Sequence, residues 1–353
     1  LVLTKSKWYK RVLDPIAGVY RGVVEARRHA YETGRKKQQA LPRPVISIGN
    51  LTVGGTGKTP MVMYMAQKLS SWCHVAILTR GYGRSDKRSY LVVPDPSRLD
   101  ERAEIFFGDE PIMMSRHIKN TSIHVGPNRH KNGMNALATH PVDVFLMDDG
   151  FQHINLKRNL DIVVVDGAED LKSLQPLPAG PLREPVEAIK RADIVVINHC
   201  SETGEHIVDM DWLKKMCPTA PIITSRYKVS GVVDCVTGEK ISIEDIKHRP
   251  LFAFCGIAKP HKFINKLAES GLNVVGQRYF GDHHRFTGRE IRNVLNQAVE
   301  AGAESLIVTE KDSVRIRSGK IKGLSVYYLA IELEILEGEE RMWESIGEVL
   351  NVN

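Results

Sequence analysis

Gly54-Gly55-Thr56-Gly57-Lys58-Thr59 is the string in this chain best suited to phosphate chemistry. Glycines let consecutive backbone N–H groups converge on phosphate oxygens, a following lysine neutralises β/γ charge, and a threonine hydroxyl ligates Mg²⁺. Lys58 and Thr59 stand where that chemistry needs them, while Thr52 occupies a position at which the standard Walker A spacing has glycine. A second string, Asp148-Asp149-Gly150-Phe151-Gln152-His153, follows the apolar run 142–147. A carboxylate delivered by the end of a buried strand is the other requirement for holding Mg²⁺ beside a nucleotide. Asp148 is the natural metal carboxylate, and Asp149 either shares that task or caps the next turn.

Such strings need elements to aim them. The β-branched run 45–49 precedes the glycine loop, and a helical stretch ending near Leu69 follows it, giving the strand, loop and helix N-terminus of a phosphate cradle. Comparable runs at 75–79, 142–147, 161–165, 193–197, 251–254 and 305–309 alternate with helical stretches. Continuous apolar strands separated by helices predict a parallel sheet covered on both faces, so the fold class is α/β and P-loop NTPase-like. Between 198 and 250 the pattern loosens, with a hairpin expected at Val236-Thr237-Gly238-Glu239; a second strand and helix series runs from Leu251 to near Ile335. The expected organisation is an amphipathic arm over 1–39, a nucleotide-binding domain over 40–230 and a smaller C-terminal α/β domain over 231–353.

With 353 residues, 42% hydrophobic and 26% charged, the chain is globular, and fibrous or mostly disordered readings are excluded. No apolar run approaches the roughly 18 residues of a spanning helix, and the first forty residues lack the apolar core of a secretory signal, so a cytoplasmic location is expected. Five scattered cysteines without a Cys-x-x-Cys pair argue against disulfides and a zinc ribbon. The net charge of +7 lies wholly within residues 1–39, which hold ten Lys or Arg against three Asp or Glu.

In that arm Trp8, Val12, Ile16, Val19, Tyr20, Val23 and Val24 recur at helical spacing, flanked by Lys10, Arg11, Arg21 and Arg28. Asp14-Pro15 fits an N-cap and first helical position, predicting two helices that meet near residue 14. A basic amphipathic helix carrying Trp and Tyr suits either an interfacial membrane anchor or docking on its own domain. The arm carries no nucleic-acid-binding motif and the rest of the chain is neutral, so no nucleic-acid partner is expected.

Taken together, Ser47-Ile48-Gly49-Asn50 leading into the glycine loop, Arg80-Gly81-Tyr82-Gly83-Arg84, Gly108-Asp109-Glu110-Pro111, the Asp148–His153 string and Pro181-Leu182-Arg183-Glu184-Pro185 closely resemble the tetraacyldisaccharide 4′-kinase family, the lipid A 4′-kinases of Gram-negative envelope synthesis. The resemblance extends to the basic N-terminal helix, Phe254-Cys255-Gly256-Ile257-Ala258 and Asp282-His283, and the family's loop shares the Thr52 form. It implies ATP as phosphoryl donor, Mg²⁺ as cofactor, and transfer to the 4′-hydroxyl of an acylated glucosamine disaccharide 1-phosphate, giving lipid IVA. It further implies a peripheral enzyme at the cytoplasmic face of the inner membrane, which favours the anchor reading of the arm. No obligate protein partner is evident.

The same resemblance implies residue roles. Gly54, Gly55, Thr56, Gly57, Lys58 and Thr59 bind the nucleotide, and Thr59, Asp148 and Asp149 form the metal set. Asp109 accepts the hydroxyl proton; on residue pattern alone a carboxylate between Gly108 and Pro111 reads first as a turn former. His283 of Asp282-His283-His284 orients Asp109 or stabilises its protonated form, with His284 the alternative. Arg183 meets the transferring phosphate, and Arg129, Asn50 and Tyr82 line the substrate site; structural ion pairing, turn formation and ring packing are the plainer readings of these residues. Thr309-Glu310-Lys311-Asp312 is spaced wrongly for a guanine-selecting motif and reads as a helix start capped by Thr309. The competing function is a P-loop NTPase switch or metallochaperone with no phosphorylated acceptor.

Overall fold

Runs of Val, Ile, Leu and Phe without polar alternation form strands that are buried at every position. These are β1 (Val45–Gly49), β2 (Val75–Thr79), β4 (Val144–Asp148), β5 (Leu160–Asp166) and β6 (Ile194–Asn198), with β3 (Thr121–Val125) buried over its last three residues. The computed structural model describes residues 7–85, 87, 89–100, 103–316, 321 and 323–351, with the side chains of 7–12 outside the description. The expectations for the side chains of Trp8, Lys10, Arg11 and Val12 therefore lie outside the described residues.

The chain forms two compact units, one of Leu1–Arg80, Lys119–Arg226 and Glu334–Asn353, the other of Gly81–Ile118 and Tyr227–Leu333. Whereas the sequence suggested a division near residue 230, the segment Gly81–Ile118 clusters with the second unit and the last twenty residues with the first. The hydroxyl of Tyr64 and Nε1 of Trp343 both donate to Glu339, which fastens the C-terminal helix to the first unit.

In the first unit the strand order is β7-β6-β5-β1-β4-β2-β3, where β7 (Ile222–Asp234) contributes its opening residues, and every pair is parallel. This agrees with the α/β parallel-sheet reading. One sheet face packs Val45, Ala76, Leu78, Phe145 and Met147 with Ala136 of the helix Arg129–Thr139. Burial on both faces is why these strands read as unbroken apolar runs. β1 lies between β4 and β5 with Ile48 opposite Asp148, so the loop after β1 and the carboxylates ending β4 emerge side by side.

The second unit holds β9 (Leu251–Cys255), β10 (Val274–Tyr279), β11 (Ser305–Thr309) and β12 (Ser325–Glu337) in the parallel order β10-β9-β11-β12. The short strand β8 (Lys240–Ile241) pairs antiparallel with β7, closing the expected hairpin. The thirteen-residue β7 was hidden in the stretch read as loose, because Ser225–Ser230 carries Arg, Lys and Ser, and only its ends are buried. β3 was missed for a related reason: it begins Thr121-Ser122 and includes His124.

The N-terminal helix α1 (Lys7–Glu32) is continuous through Pro15, which corrects the expectation of two helices meeting near residue 14. Proline removes one hydrogen bond and crowds the carbonyl four residues earlier, yet here it lies within the first third of a long helix. One face docks on the first unit through Ala17, Tyr20 and Val24, with the Tyr20 hydroxyl donating to the Arg183 carbonyl at 2.9 Å. Ile16, Val19 and Val23, spaced i, i+3, i+7, are 50%, 70% and 64% exposed.

Candidate functional site

The loop 50–57 leads from β1 into α2 (Lys58–Leu69), whose N-cap Gly57 has φ of +101°. A side chain is strained in that conformation, so glycine there lets the chain turn straight into the helix. The first N–H groups of α2 lack intrahelical acceptors and sit at the positive end of the helix dipole, an arrangement that favours an anion. Asn50 is fully buried; its Nδ2 donates to Thr56 Oγ1 at 3.0 Å, and Asn198 Nδ2 donates to the Thr56 carbonyl at 3.0 Å. Asn50 Oδ1 has no hydrogen-bond partner among the described residues. The segment 181–183 runs beside the loop, with Val53 N donating to Pro181 O and Arg183 N to Leu51 O, each at 2.8 Å.

Asp148 and Asp149 diverge at the end of β4. Asp148 is buried and accepts from Thr79 Oγ1 at 2.9 Å. Asp149 adopts φ of +51°, and both its oxygens accept from Arg183 Nη1 at 2.8 Å, with Lys58 Nζ 3.5 Å away. Burial pushes the Asp149 carboxyl upward, but the Lys58 and Arg183 charges outweigh it and hold it below the usual carboxylate range. Lys58, Asp149 and Arg183 thus form one charge cluster beside the loop. Arg129 belongs to the same unit; it is buried and donates to the Gly126 carbonyl at the start of its helix. No group of three or more His, Cys, Asp or Glu residues able to hold a metal occurs among the described residues.

The Thr59 hydroxyl and the Asp148 carboxylate offer oxygen donors, which suit Mg²⁺ better than a soft metal. The Thr79 bond fixes the Asp148 carboxylate, and the bonds to Thr56 fix the loop from beneath. The residues present therefore fit a nucleotide-bound Mg²⁺.

In the second unit, α3 (Asp109–His117) opens on Asp109 after Gly108, whose φ is +92°. A Cβ at Gly108 would lie 2.8 Å from the Tyr82 carbonyl oxygen, so close approach of the 81–82 backbone requires glycine. The Asp109 Oδ2 atom lies 3.0 Å from His283 Nδ1 and 2.9 Å from Arg315 Nε. Asp109 and Arg315 are both buried. Burial pushes the Asp109 carboxyl up, whereas the His283 hydrogen bond and the charges of Arg315, His283 and Lys311 more than compensate and hold it low.

His283 adopts φ of +56°, and its ring lies 4.7 Å from that of Tyr82 at 56°. His284 instead sits 3.0 Å from Glu290, stacked on Phe280. Bonds from the Thr287 backbone and hydroxyl and from His284 draw the Glu290 carboxyl down to about 2. Of the two adjacent histidines, His283 is the one placed against Asp109. Within this unit a cavity of about 510 Å³ is lined by Asp109, His283, Arg285, Phe286, Ile291 and Arg292 among others.

The candidate residues thus fall into two groups. Asn50, Gly54, Gly55, Thr56, Gly57, Lys58, Thr59, Arg129, Asp148, Asp149 and Arg183 lie in the first unit, and Tyr82, Asp109 and His283 in the second. Sequence reasoning passed over Arg315 and Lys311. Lys311 Nζ lies 3.1 Å from His283 Nε2 and 3.1 Å from Glu110 Oε1. The string containing Lys311 had been singled out, but only as a helix start; Thr309 does cap it, accepting from Asp312 N. Arg315 stood in no recognised motif, and only the fold reveals it beside Asp109.

A buried parallel strand, a glycine loop running into a helix N-terminus and a carboxylate pair on the adjacent strand end define a P-loop nucleotide-binding protein. Residues 9–351 match the family described as Tetraacyldisaccharide-1-P 4'-kinase, and the chain belongs to that family. It is 35% identical over 337 residues to the tetraacyldisaccharide 4'-kinase of Anaeromyxobacter sp., covering 94% of this chain and 90% of the relative. To that of Pelobacter propionicus it is 37% identical over 306 residues, covering 86% and 82%. A crystal structure of "apo" form LpxK from Aquifex aeolicus in complex with ATP matches with a TM-score of 0.75 at 29% identity, covering 95% of this chain and 98% of that one.

Proposed function

We propose that this chain transfers the γ-phosphoryl group of ATP to the 4′-hydroxyl of a tetraacylated glucosamine disaccharide 1-phosphate. The observation that carries the reading is the buried Asp109 carboxylate bonded to His283 in a chain that also holds a P-loop. Hydrolysis alone needs no such pair, whereas a hydroxyl acceptor must give up a proton during transfer. Asp109 accepts that proton, and His283 holds the carboxylate in place through Oδ2. The loop amides and Lys58 hold the β/γ-phosphates, with Arg183 meeting charge on the transferring group. Thr59 and Asp148 hold Mg²⁺, which neutralises phosphate charge when bound, and Asp149 presents Lys58 and Arg183 to the loop. In the first unit Asn50 supports the loop through Thr56 and Arg129 serves the substrate; in the second Tyr82 flanks His283.

The exposed apolar face of α1 supports placing the enzyme peripherally at the cytoplasmic face of the inner membrane, where a tetraacylated substrate resides. No described helix is long and apolar enough to cross a membrane. Val19 and Val23 would enter the acyl boundary while the arm's bases meet anionic headgroups.

The test is incubation with Mg²⁺, γ-labelled ATP and detergent-dispersed tetraacyl disaccharide 1-phosphate, followed by separation of the lipids. Label in a bisphosphorylated lipid is the expected result. ATP hydrolysis indifferent to the lipid would favour the NTPase switch instead.

A further inference from the structure

Phe151 stands two residues after Asp149, and Glu184 directly follows Arg183. Both are buried, at 0% and 4% exposure, and both meet Arg191, which belongs to none of the recognised strings. Arg191 Nη2 donates to the two Glu184 oxygens at 2.9 and 2.8 Å, and its Cζ lies 4.3 Å from the centre of the Phe151 ring. A carboxylate as deeply buried as Glu184 needs a partner. A planar guanidinium can serve the carboxylate with its edge and the aromatic ring with its face. All of these residues lie in the first unit.

Arg191 is itself fixed by the backbone that carries it. It ends the 3₁₀ turn Val186–Arg191, which starts after Pro185. Ala188 and Ile189 of that turn are fully buried in one cluster with Leu51, Phe151 and Leu182. Phe151 is wedged against β1, where a Cβ on Gly49 would lie 2.6 Å from the Phe151 Cβ. Neighbouring side chains of an extended segment point to opposite sides. Glu184 turns to Arg191, and Arg183 turns to Asp149, donating to both of its oxygens at 2.8 Å. Arg191 thus holds the residue next to Arg183 and the residue two beyond Asp149, the two members of the ion pair beside the glycine loop.

We infer that Arg191 is a positioning residue for phosphoryl transfer: through Glu184 and Phe151 it sets the angle at which Arg183 is presented beside the loop. The inference rests on the role given to Arg183 in the transfer reaction proposed above. An ion pair that only supports the fold would act on stability whether or not Arg183 is present, whereas a positioning residue acts on the rate through Arg183.

Arg191→Lys is the informative variant. It keeps a charge for Glu184, and so the fold, but has no planar face to lie on Phe151 and no fixed fork. In the lipid assay it should lower kcat by about 10- to 100-fold, the range that a displacement of about 1 Å can cost, with the KM for ATP within about threefold of wild type. Combined with Arg183→Ala, it should lower kcat by no more than about twofold below Arg183→Ala alone, because residues that act through one another are not additive. A second readout needs no lipid. Carbon-detected NMR on protein labelled with ¹³C,¹⁵N-arginine, with Arg183 assigned through Arg183→Lys, should show resolved, slowly rotating Nη signals for Arg183 in the wild type and averaged ones in Arg191→Lys.

An unchanged kcat in Arg191→Lys would overturn the inference, as would losses that multiply in the double variant or an Arg183 spectrum that Arg191→Lys leaves unaltered. If Arg191→Lys does not fold, the paired variant Glu184→Gln with Arg191→Gln removes both buried charges together and enters both measurements with the same expectations. A wild type that labels no lipid would instead overturn the transfer reading, and the Arg183 spectrum would then decide alone whether Arg191 holds that side chain.

Discussion

The Asp109 carboxylate is where one substitution should separate chemistry from binding. Removing a general base typically lowers rate by about 10²–10⁴, so Asp109→Ala should reduce lipid labelling by that factor. Because Asp109 and the glycine loop belong to different compact units, equilibrium binding of a fluorescent ATP analogue should stay within about twofold of wild type, a ratio worth less than 0.5 kcal/mol. The pH dependence follows from the environment of this group. Burial works against ionisation, but His283 and Arg315 lower the carboxyl. Its ionised form is the base, active above the folded pKa and lost as pH falls through it. The acidic limb of kcat/KM should accordingly lie below the ordinary aspartate value of about 3.9, as read from initial rates between pH 3 and 8 on enzyme checked for folding. A limb near neutrality would mean that some other group titrates. His283 illustrates what the sequence could and could not disclose: two adjacent histidines have the same composition and nearly the same neighbours, and only packing sends His284 to Glu290 and His283 to Asp109.

At the scale of elements, what was legible was whatever burial writes as an unbroken apolar run. β1, β2, β5, β6 and β11 could be read directly, whereas β7 carries Arg226, Lys228 and Ser230 through its middle and leaves no such trace. The continuous α1 was misread because a proline tolerated near the start of a long helix looks, in sequence, like a new beginning. That helix carries one broad apolar stripe of which only part is covered, and the docking of Ala17 and Tyr20 leaves Ile16, Val19 and Val23 outside. The paired substitution Val19→Glu and Val23→Glu should therefore leave the melting temperature within about 2 °C, as surface changes usually do. It should lower co-sedimentation with anionic phospholipid vesicles at least tenfold; equal sedimentation would show that the arm does not hold the membrane. Gly108 tests an element boundary instead. Alanine there must adopt φ near +92° and meet the Tyr82 carbonyl, a strain of about 1–3 kcal/mol that should appear as a lower melting temperature. Since α3 begins at the next residue, lipid labelling should fall as well, and undiminished labelling would argue that Asp109 is not held by this turn.

For the molecule as a whole, the motifs that sequence could recognise are split between two units, and the split follows the threading of the chain. Gly81–Ile118 leaves the first unit directly after Arg80 and carries Tyr82 and Asp109 into the second, so a linear reading assigned both to the nucleotide-binding domain. β7 and β12 likewise each begin and end in different units, which no local pattern announces. This partition makes a claim about ligand-linked stability. A ligand that binds only folded protein stabilises it by RT ln(1 + [L]/Kd), about 2.7 kcal/mol at a hundredfold excess over Kd. Lys58 lies at the start of α2 with Asp149 and Arg183, all in the first unit, so ATP with Mg²⁺ should raise the melting temperature of wild type and Asp109→Ala by similar amounts. Lys58→Ala should abolish the rise while retaining the ligand-free melting temperature, because the side chain's one ion pair among the described residues, at 3.5 Å, involves a partly exposed carboxylate. Differential scanning fluorimetry on the three proteins, with ADP as a second ligand, distinguishes the outcomes. A rise surviving in Lys58→Ala would place nucleotide binding elsewhere, and a rise lost in Asp109→Ala would show that the second unit takes part in holding the nucleotide and not only in activating the acceptor.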